Sequence, residues 1–210
     1  MKNNATELVF ILDRSGSMSG FETDTVGGFN ATIEKQRTVD GKVWVSTVLF
    51  DNESEVIHDR VDIADVEPMT AKDYRVGGGT ALLDAIGGAI HHIGNIHKYA
   101  RPEDVPEHTI FLITTDGMEN ASHRYSSTRV KEMIRRQQEK HGWEFIFLAA
   151  NIDAVETAES IGIRRDRAAN FRQTSRGVEK SYCAMSAAIR TVREKRAEEM
   201  DLNRFLEEED

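Results

Sequence analysis

The sequence predicts an α/β fold in which an open, mostly parallel sheet carries one antiparallel edge strand and has helices on both faces. Apolar segments of strand length alternate along the 210-residue chain with segments of helical periodicity, which is typical of strand–helix–strand crossovers. The strand segments are nearly continuous apolar runs, as expected for parallel strands that are buried on both faces. Two of them are separated by only three residues, 51–53, which predicts one antiparallel hairpin.

The first half of the chain contains three predicted strands and two predicted helices. β-branched and aromatic residues fill the strand segments, whereas apolar residues recur every three or four positions in the helix segments. Asp40-Gly41 and the glycine run at 77–79 mark the turns between them. The predicted strands are 8–12, 42–50 and 54–63, and the predicted helices are 24–37 and 82–96.

The second half continues the alternation and ends in an acidic segment. Its predicted strands are 109–115, 143–150 and 170–174, and its predicted helices are 127–140, 155–161 and 178–192. Residues 198–210 carry seven acidic side chains and one arginine, which is a sharp change in composition. We therefore assign residues 1–197 to one domain and residues 198–210 to an acidic C-terminal tail.

Charge and composition limit the function classes. The net charge is −9, of which the tail contributes −6, so the body carries only −3 and lacks the basic field that nucleic-acid binding needs. No apolar stretch is long enough to span a bilayer, and the N-terminus lacks the pattern of a secretory signal. Cys183 is the only cysteine, so no intramolecular disulfide forms. We expect a cytoplasmic monomer without nucleic-acid or membrane partners.

Oxygen-bearing side chains lie where three predicted elements begin or end. Asp13, Ser15 and Ser17 alternate directly after the first strand, Thr80 follows the glycine run that precedes a helix, and Asp116 ends the strand at 109–115. Each residue also has an ordinary explanation as a turn or helix-capping residue. Sites in open α/β sheets form at the carboxyl ends of the strands, however, and an oxygen set without Cys or His indicates a hard cation.

These positions resemble the metal-ion-dependent adhesion site (MIDAS) of the von Willebrand factor type A (vWA) domain, whose pattern is Asp-x-Ser-x-Ser, a distant Thr and a distant Asp before Gly. All five positions are filled, and the resemblance covers residues 6–193. It implies a Rossmann-like vWA fold in which Ser15, Ser17 and Thr80 touch the cation through their hydroxyls. Asp13 and Asp116 would act mostly through bound water or by orienting those hydroxyls. Mg²⁺ or Mn²⁺ is the implied cation, with Ca²⁺ less favoured.

The resemblance also implies an open coordination position for a carboxylate of a protein ligand. We therefore expect a metal-dependent protein-binding module, not an enzyme, whose unidentified partner offers an Asp or Glu side chain. One alternative is a Mg²⁺-dependent hydrolase at the same site, for which Glu119 is the only candidate base. Another is a non-catalytic partner subunit of an AAA+ ATPase, since the vWA family includes such proteins.

The acidic tail offers carboxylates of its own. The last predicted helix follows a parallel strand and therefore runs away from the strand ends that hold the metal residues. The tail would then start at the opposite end of the domain, so capture within one molecule is not expected. Weak head-to-tail self-association through Glu207–Asp210 is one hypothesis, and a solvated tail is the other.

Overall fold

The computed structural model describes residues 4–207, and six strands form its sheet in the order β3-β2-β1-β4-β5-β6. The strands are β1 (Thr6–Asp13), β2 (Val43–Phe50), β3 (Ser54–Asp62), β4 (His108–Thr115), β5 (Glu144–Ala149) and β6 (Ala168–Asn170). All neighbouring strands pair in parallel except β2 and β3, which form an antiparallel hairpin. The predicted mostly parallel sheet with one antiparallel edge strand is confirmed.

Helices cover both faces of the sheet, as predicted. They are α1 (Glu22–Arg37), α2 (Leu82–Tyr99), α3 (Ser127–His141), α4 (Ala154–Ser160), α5 (Ser175–Arg193) and α6 (Leu202–Glu207). Because side chains alternate along a strand, Leu8 and Phe10 pack with α1, α5 and α6, whereas Val9 and Ile11 pack with α2, α3 and α4. No helix within residues 4–207 is long and apolar enough to cross a membrane.

The last strand lies earlier in the chain than predicted. β6 pairs Ala168 and Ala169 with β5, and residues 171–174 form the loop before α5. Thr174 is the N-cap of that helix, since its hydroxyl accepts a hydrogen bond from the Gly177 amide at 3.1 Å. The two alanines have little β-propensity of their own, so burial against the core selects a strand that the local pattern does not show.

The acidic segment, as far as Glu207, packs against the domain. Arg167 is 2% exposed and donates to the carbonyl of Met200 at 2.7 Å, and Leu202 is buried. Asn203 donates to the carbonyl of Ala168 at 3.2 Å, near the beginning of β6.

The last residues of α6 lie at the other end of β6. Leu206 and Glu207 lie beside Asn170 and Arg176, at the carboxyl end of β6. The acidic segment begins at the end of the sheet away from the metal residues, as expected, because Lys195, just before it, pairs with Glu107 beside the start of β4. α6 then turns the chain back towards the carboxyl end of β6, which was not expected. The domain boundary at residue 197 remains a prediction, and Glu208, Glu209 and Asp210 lie outside the described residues.

Candidate metal centre

Asp13 ends β1 and is almost completely buried, with 1% of its surface exposed. Its Oδ1 accepts a hydrogen bond from the Ser15 amide at 2.7 Å, and its Oδ2 accepts one from the Thr115 hydroxyl at 2.6 Å. β1 and β4 are direct neighbours in the sheet, so these bonds join the ends of two central strands. The carboxylate of Asp13 thus fixes the loop that carries the two serines.

The hydroxyl groups of the predicted site meet beside Asp116. The Oγ atoms of Ser15 and Ser17 are 3.1 Å apart, and the Ser17 hydroxyl donates to Asp116 Oδ1 at 2.5 Å. A Cβ atom built on Gly117 would lie 3.4 Å from Thr80 Oγ1 and 3.5 Å from Ser17 Oγ. The structure therefore brings all five predicted residues together at the carboxyl ends of β1 and β4.

The glycine run that precedes Thr80 is fastened to the serine loop through the backbone. The Gly77 amide donates to the Arg14 carbonyl at 2.9 Å, and the Gly16 amide donates to the Gly78 carbonyl at 3.1 Å. Gly78 has φ of +75°, a conformation in which glycine avoids the strain of a side chain. These two bonds place the Thr80 loop directly against the first metal-site loop.

Two asparagines complete the support of the Thr80 loop. Asn120 accepts a hydrogen bond from the Thr80 amide at 2.8 Å, and Asn52 accepts one from the Gly79 amide at 2.7 Å. A Cβ atom at Gly79 would lie 2.7 Å and 2.8 Å from these two side-chain oxygens. Position 79 must therefore lack a side chain if both asparagines are to hold the loop.

Gln173 is a site residue that sequence reasoning missed. Its side-chain amide donates to Asp116 Oδ2 at 2.6 Å and to the Ser17 carbonyl at 3.0 Å, while Asn151 donates to its oxygen at 2.5 Å. The sequence predicts a strand over residues 170–174, whereas Gln173 lies in the loop after β6. That loop is also at the carboxyl end of the sheet, which is the signal that could have identified it.

The two carboxyl groups of the site are held without a basic partner. Burial raises the pKa of Asp13, and hydrogen bonds from Thr115 and Ser15 offset part of that rise. Burial also raises the pKa of Asp116, a hydrogen bond from Ser17 lowers it, and the charge of Asp13 raises it further. Within residues 4–207, no salt bridge to Lys, Arg or His involves either carboxylate.

Arg14 lies between two site residues in sequence but points elsewhere. Its guanidinium forms ion pairs with Asp51, at 2.9 Å, and with Glu55. A cation from outside the chain would therefore find two buried carboxylates and three hydroxyls in one place. This donor set suits a hard divalent cation, and the described residues hold no cluster of three or more His, Cys, Asp or Glu side chains that offers another metal centre.

Glu119, the candidate base of the hydrolase alternative, is engaged elsewhere. Its Oε1 accepts hydrogen bonds from the amides of Ala121 and Ser122 at 3.0 Å and 2.8 Å. Its Oε2 accepts from the Leu83 amide and the Ser122 hydroxyl, both at 2.8 Å. The side chain thus fastens its own loop to the first turn of α2.

Known proteins resemble this chain in structure but not detectably in sequence. The sequence matches no protein-family profile and no curated protein. A von Willebrand factor type A protein from Catenulispora acidiphila aligns with 89% of this chain and 42% of its own at 16% identity and a TM-score of 0.56. Proximal thread matrix protein 1 from the mussel byssus, with a zinc-occupied MIDAS motif, aligns with 91% of this chain and 46% of its own at 16% identity and a TM-score of 0.55.

A third solved structure contains a different metal. Manganese-loaded TRAP protein from Plasmodium vivax aligns with 78% of this chain and 65% of its own, at 16% identity and a TM-score of 0.54. The chain thus spans less than two thirds of the length of each of these three structures. At such low identity the similarity establishes architecture alone. This architecture, with its parallel sheet and antiparallel edge strand, is that of the vWA domain, and the chain has the vWA fold.

Proposed function

We propose that this protein is a metal-dependent interaction module that captures an Asp or Glu carboxylate of a protein partner. The cation is Mg²⁺ or Mn²⁺, held by Ser15, Ser17 and Thr80 with Asp13 and Asp116 in support. The observation that carries the proposal is the convergence of three hydroxyls on two carboxylates that have no basic partner in the described chain.

Three residues of the site would contact the cation through their hydroxyls, and the two carboxylates would support them. A bound cation would supply an electrophilic centre, which a carboxylate from another protein satisfies well. The three hydroxyls are neutral, so they leave most of that positive charge available to the ligand. Asp13 uses both of its oxygens within the protein, and Asp116 is steadied between Ser17 and Gln173.

The surroundings of the site favour a macromolecular ligand. Ser17 is exposed at the rim, and Met118, which follows Gly117, is 71% exposed. A flexible apolar side chain of this kind adapts to different contact surfaces. The rim therefore offers a protein partner an apolar contact beside the carboxylate position.

The hydrogen bonds of Glu119 favour a binding function over a hydrolase. A general base must reach the proton that it removes, whereas both oxygens of Glu119 already accept hydrogen bonds from its own loop and from α2. Recruiting this side chain as a base would leave three backbone amides without their acceptor.

Isothermal titration with Mg²⁺ and with Mn²⁺ tests the metal site. We expect one site in the wild-type protein and no detectable site in Ser17→Ala/Thr80→Ala. Thr128→Ala/Ser160→Ala is the matched control, because both hydroxyls are exposed on α3 and α4. Unchanged titration of the first double variant would refute the assignment.

A further inference from the structure

A groove of about 300 Å³ lies beside the candidate metal centre, between the loop after β6, the first turns of α5 and the end of α6. Phe171 and Leu206 form apolar parts of its wall. Its basic side chains are Arg172, Arg176 and Lys180, and Glu207 is the acidic residue that lines it. We call this feature the basic groove.

The basic groove is joined to the metal centre by a single residue. Arg172 and Thr174 line the groove, and Gln173 between them donates a hydrogen bond to Asp116 at 2.6 Å. One loop thus contributes to both features. A peptide that is bound at the metal centre therefore reaches the groove within a few residues, since an extended peptide advances about 3.4 Å per residue.

The charge of the groove is opposite to that of the whole chain. The protein carries a net charge of −9, yet among residues 4–207 the groove lining has three basic side chains against one acidic side chain. Within residues 4–207, neither Arg172 nor Arg176 forms a salt bridge with an acidic side chain. Two guanidinium groups are thus available to an acidic ligand from outside the described chain.

We propose that the basic groove binds a second acidic stretch of the partner whose carboxylate occupies the metal centre. This inference rests on the proposed function and narrows the partner to an acidic segment. One of its Asp or Glu residues faces the metal, and further acidic residues a few positions away face Arg172 and Arg176. Glu207 already places one carboxylate at the groove wall, so the groove accommodates such a group.

Two synthetic peptides with a fluorescent label test the proposal. Both carry one Asp, a short Gly-Ser spacer and a cluster of three residues that is Glu in one peptide and Gln in the other. Anisotropy titrations are run with Mg²⁺ and with chelator. The difference between the Glu and Gln peptides reports on the groove, whereas the difference between Mg²⁺ and chelator reports on the metal centre.

We expect the Glu peptide to bind about fivefold more tightly than the Gln peptide in Mg²⁺ at low salt, the sum of two exposed ion pairs. Arg172→Gln/Arg176→Gln should remove that difference. The control Arg135→Gln/Arg136→Gln loses the same charge from exposed positions of α3 on the other face of the sheet and should preserve it. Salt near 1 M should abolish the difference because it shortens the screening length to about 3 Å.

The two proposals fail in different ways. Equal affinity for the Glu and Gln peptides, or an equal loss in both double variants, would overturn the groove as an acidic-ligand site. Binding of both peptides that does not depend on Mg²⁺ would overturn the metal centre instead, whatever the groove does.

Discussion

Gln173 offers the sharpest test of how the site is assembled, because its neutral amide contacts Asp116 directly and can be replaced by a carboxylate of the same size. Its amide donates to Asp116 Oδ2 and to the Ser17 carbonyl. Gln173→Glu keeps the size of the side chain but replaces the donor by a carboxylate. In the absence of metal this places a second carboxylate where the amide now contacts Asp116 at 2.6 Å.

The magnitude follows from the two lost hydrogen bonds and the new repulsion. A hydrogen bond to a charged group contributes about 1.5–3 kcal/mol and a neutral one about 0.5–1.5 kcal/mol. Gln173 is only half-buried, so water replaces part of both, and we take a loss of about 2 kcal/mol for the pair. Repulsion between the carboxylates adds to this loss, whereas a bound divalent cation cancels the repulsion. In chelator, the melting temperature should fall by about 4–8 °C from the hydrogen bonds alone.

Urea unfolding in chelator and in excess Mg²⁺ separates these contributions. Gln173→Met is the uncharged control, because it removes the same two donated hydrogen bonds without adding charge, together with the bond that Asn151 donates to the Gln173 oxygen. We expect both variants to lose stability in chelator, with the larger loss in Gln173→Glu. Mg²⁺ should restore more stability to Gln173→Glu than to Gln173→Met, since a third carboxylate strengthens cation binding.

Two results would contradict this account of the site. If Gln173→Glu were as stable as the wild type in chelator, the contact with Asp116 would not contribute to folding. If Mg²⁺ stabilised both variants equally, the carboxylate at position 173 would not sense the cation, and the metal would lie elsewhere.

Three further outcomes are expected. Chelator should leave the domain folded and shift its melting temperature only by mass action, because the site lies at the rim of a large core; unfolding at room temperature would contradict this. Burial lowers the pKa of His58 below its usual value of 6.5, against the opposing charges of Asp73 and Glu67. The unfolded state therefore binds more protons than the folded state. The contribution of neutral His58 to the free energy of unfolding is complete above pH 6.5 and is lost as the pH falls through the pKa of the folded state. His58→Gln should flatten the pH dependence of the free energy of unfolding in this range. Leu202→Ala should cost about 2–5 kcal/mol in urea unfolding, because the side chain is fully buried, and a negligible cost would place α6 outside the cooperative domain.

The fold was predictable because local pattern and tertiary burial agree along most of the chain. The apolar runs of β1, β4 and β5 are buried on both faces, so their sequences have no polar face to obscure the strand signal. The last strand was predicted at 170–174 and therefore too late in the chain, and α6 was not predicted, because Ala168 and Leu202 take their structure from contacts that the local sequence does not encode. Ala168 pairs with Phe147 of β5, and Leu202 is buried next to α5 and β6.

The site was predictable to the extent that its residues follow strand ends. Asp13 ends β1 and Asp116 directly follows β4, and because these parallel strands are neighbours, their proximity is fixed once the strand order is known. Gln173 and Asn52 were missed because an amide side chain in a loop has many ordinary roles, and only tertiary structure shows which hydrogen bond it makes. The same holds for the basic groove, whose lysine and arginines are brought together with Leu206 by the return of α6.

The arrangement of charge at this end of the sheet gives the metal a second role under the proposed function. Without a cation, Asp13 and Asp116 repel the same acidic segment that Arg172 and Arg176 attract. With a divalent cation in place, the centre becomes attractive and both contacts favour the ligand. Removing the metal should therefore weaken binding of an acidic segment by more than the loss of one coordination bond. Binding of the acidic segment depends on the cation partly because Arg14 does not neutralise the site in its place. Its guanidinium is held in ion pairs with Asp51 and Glu55.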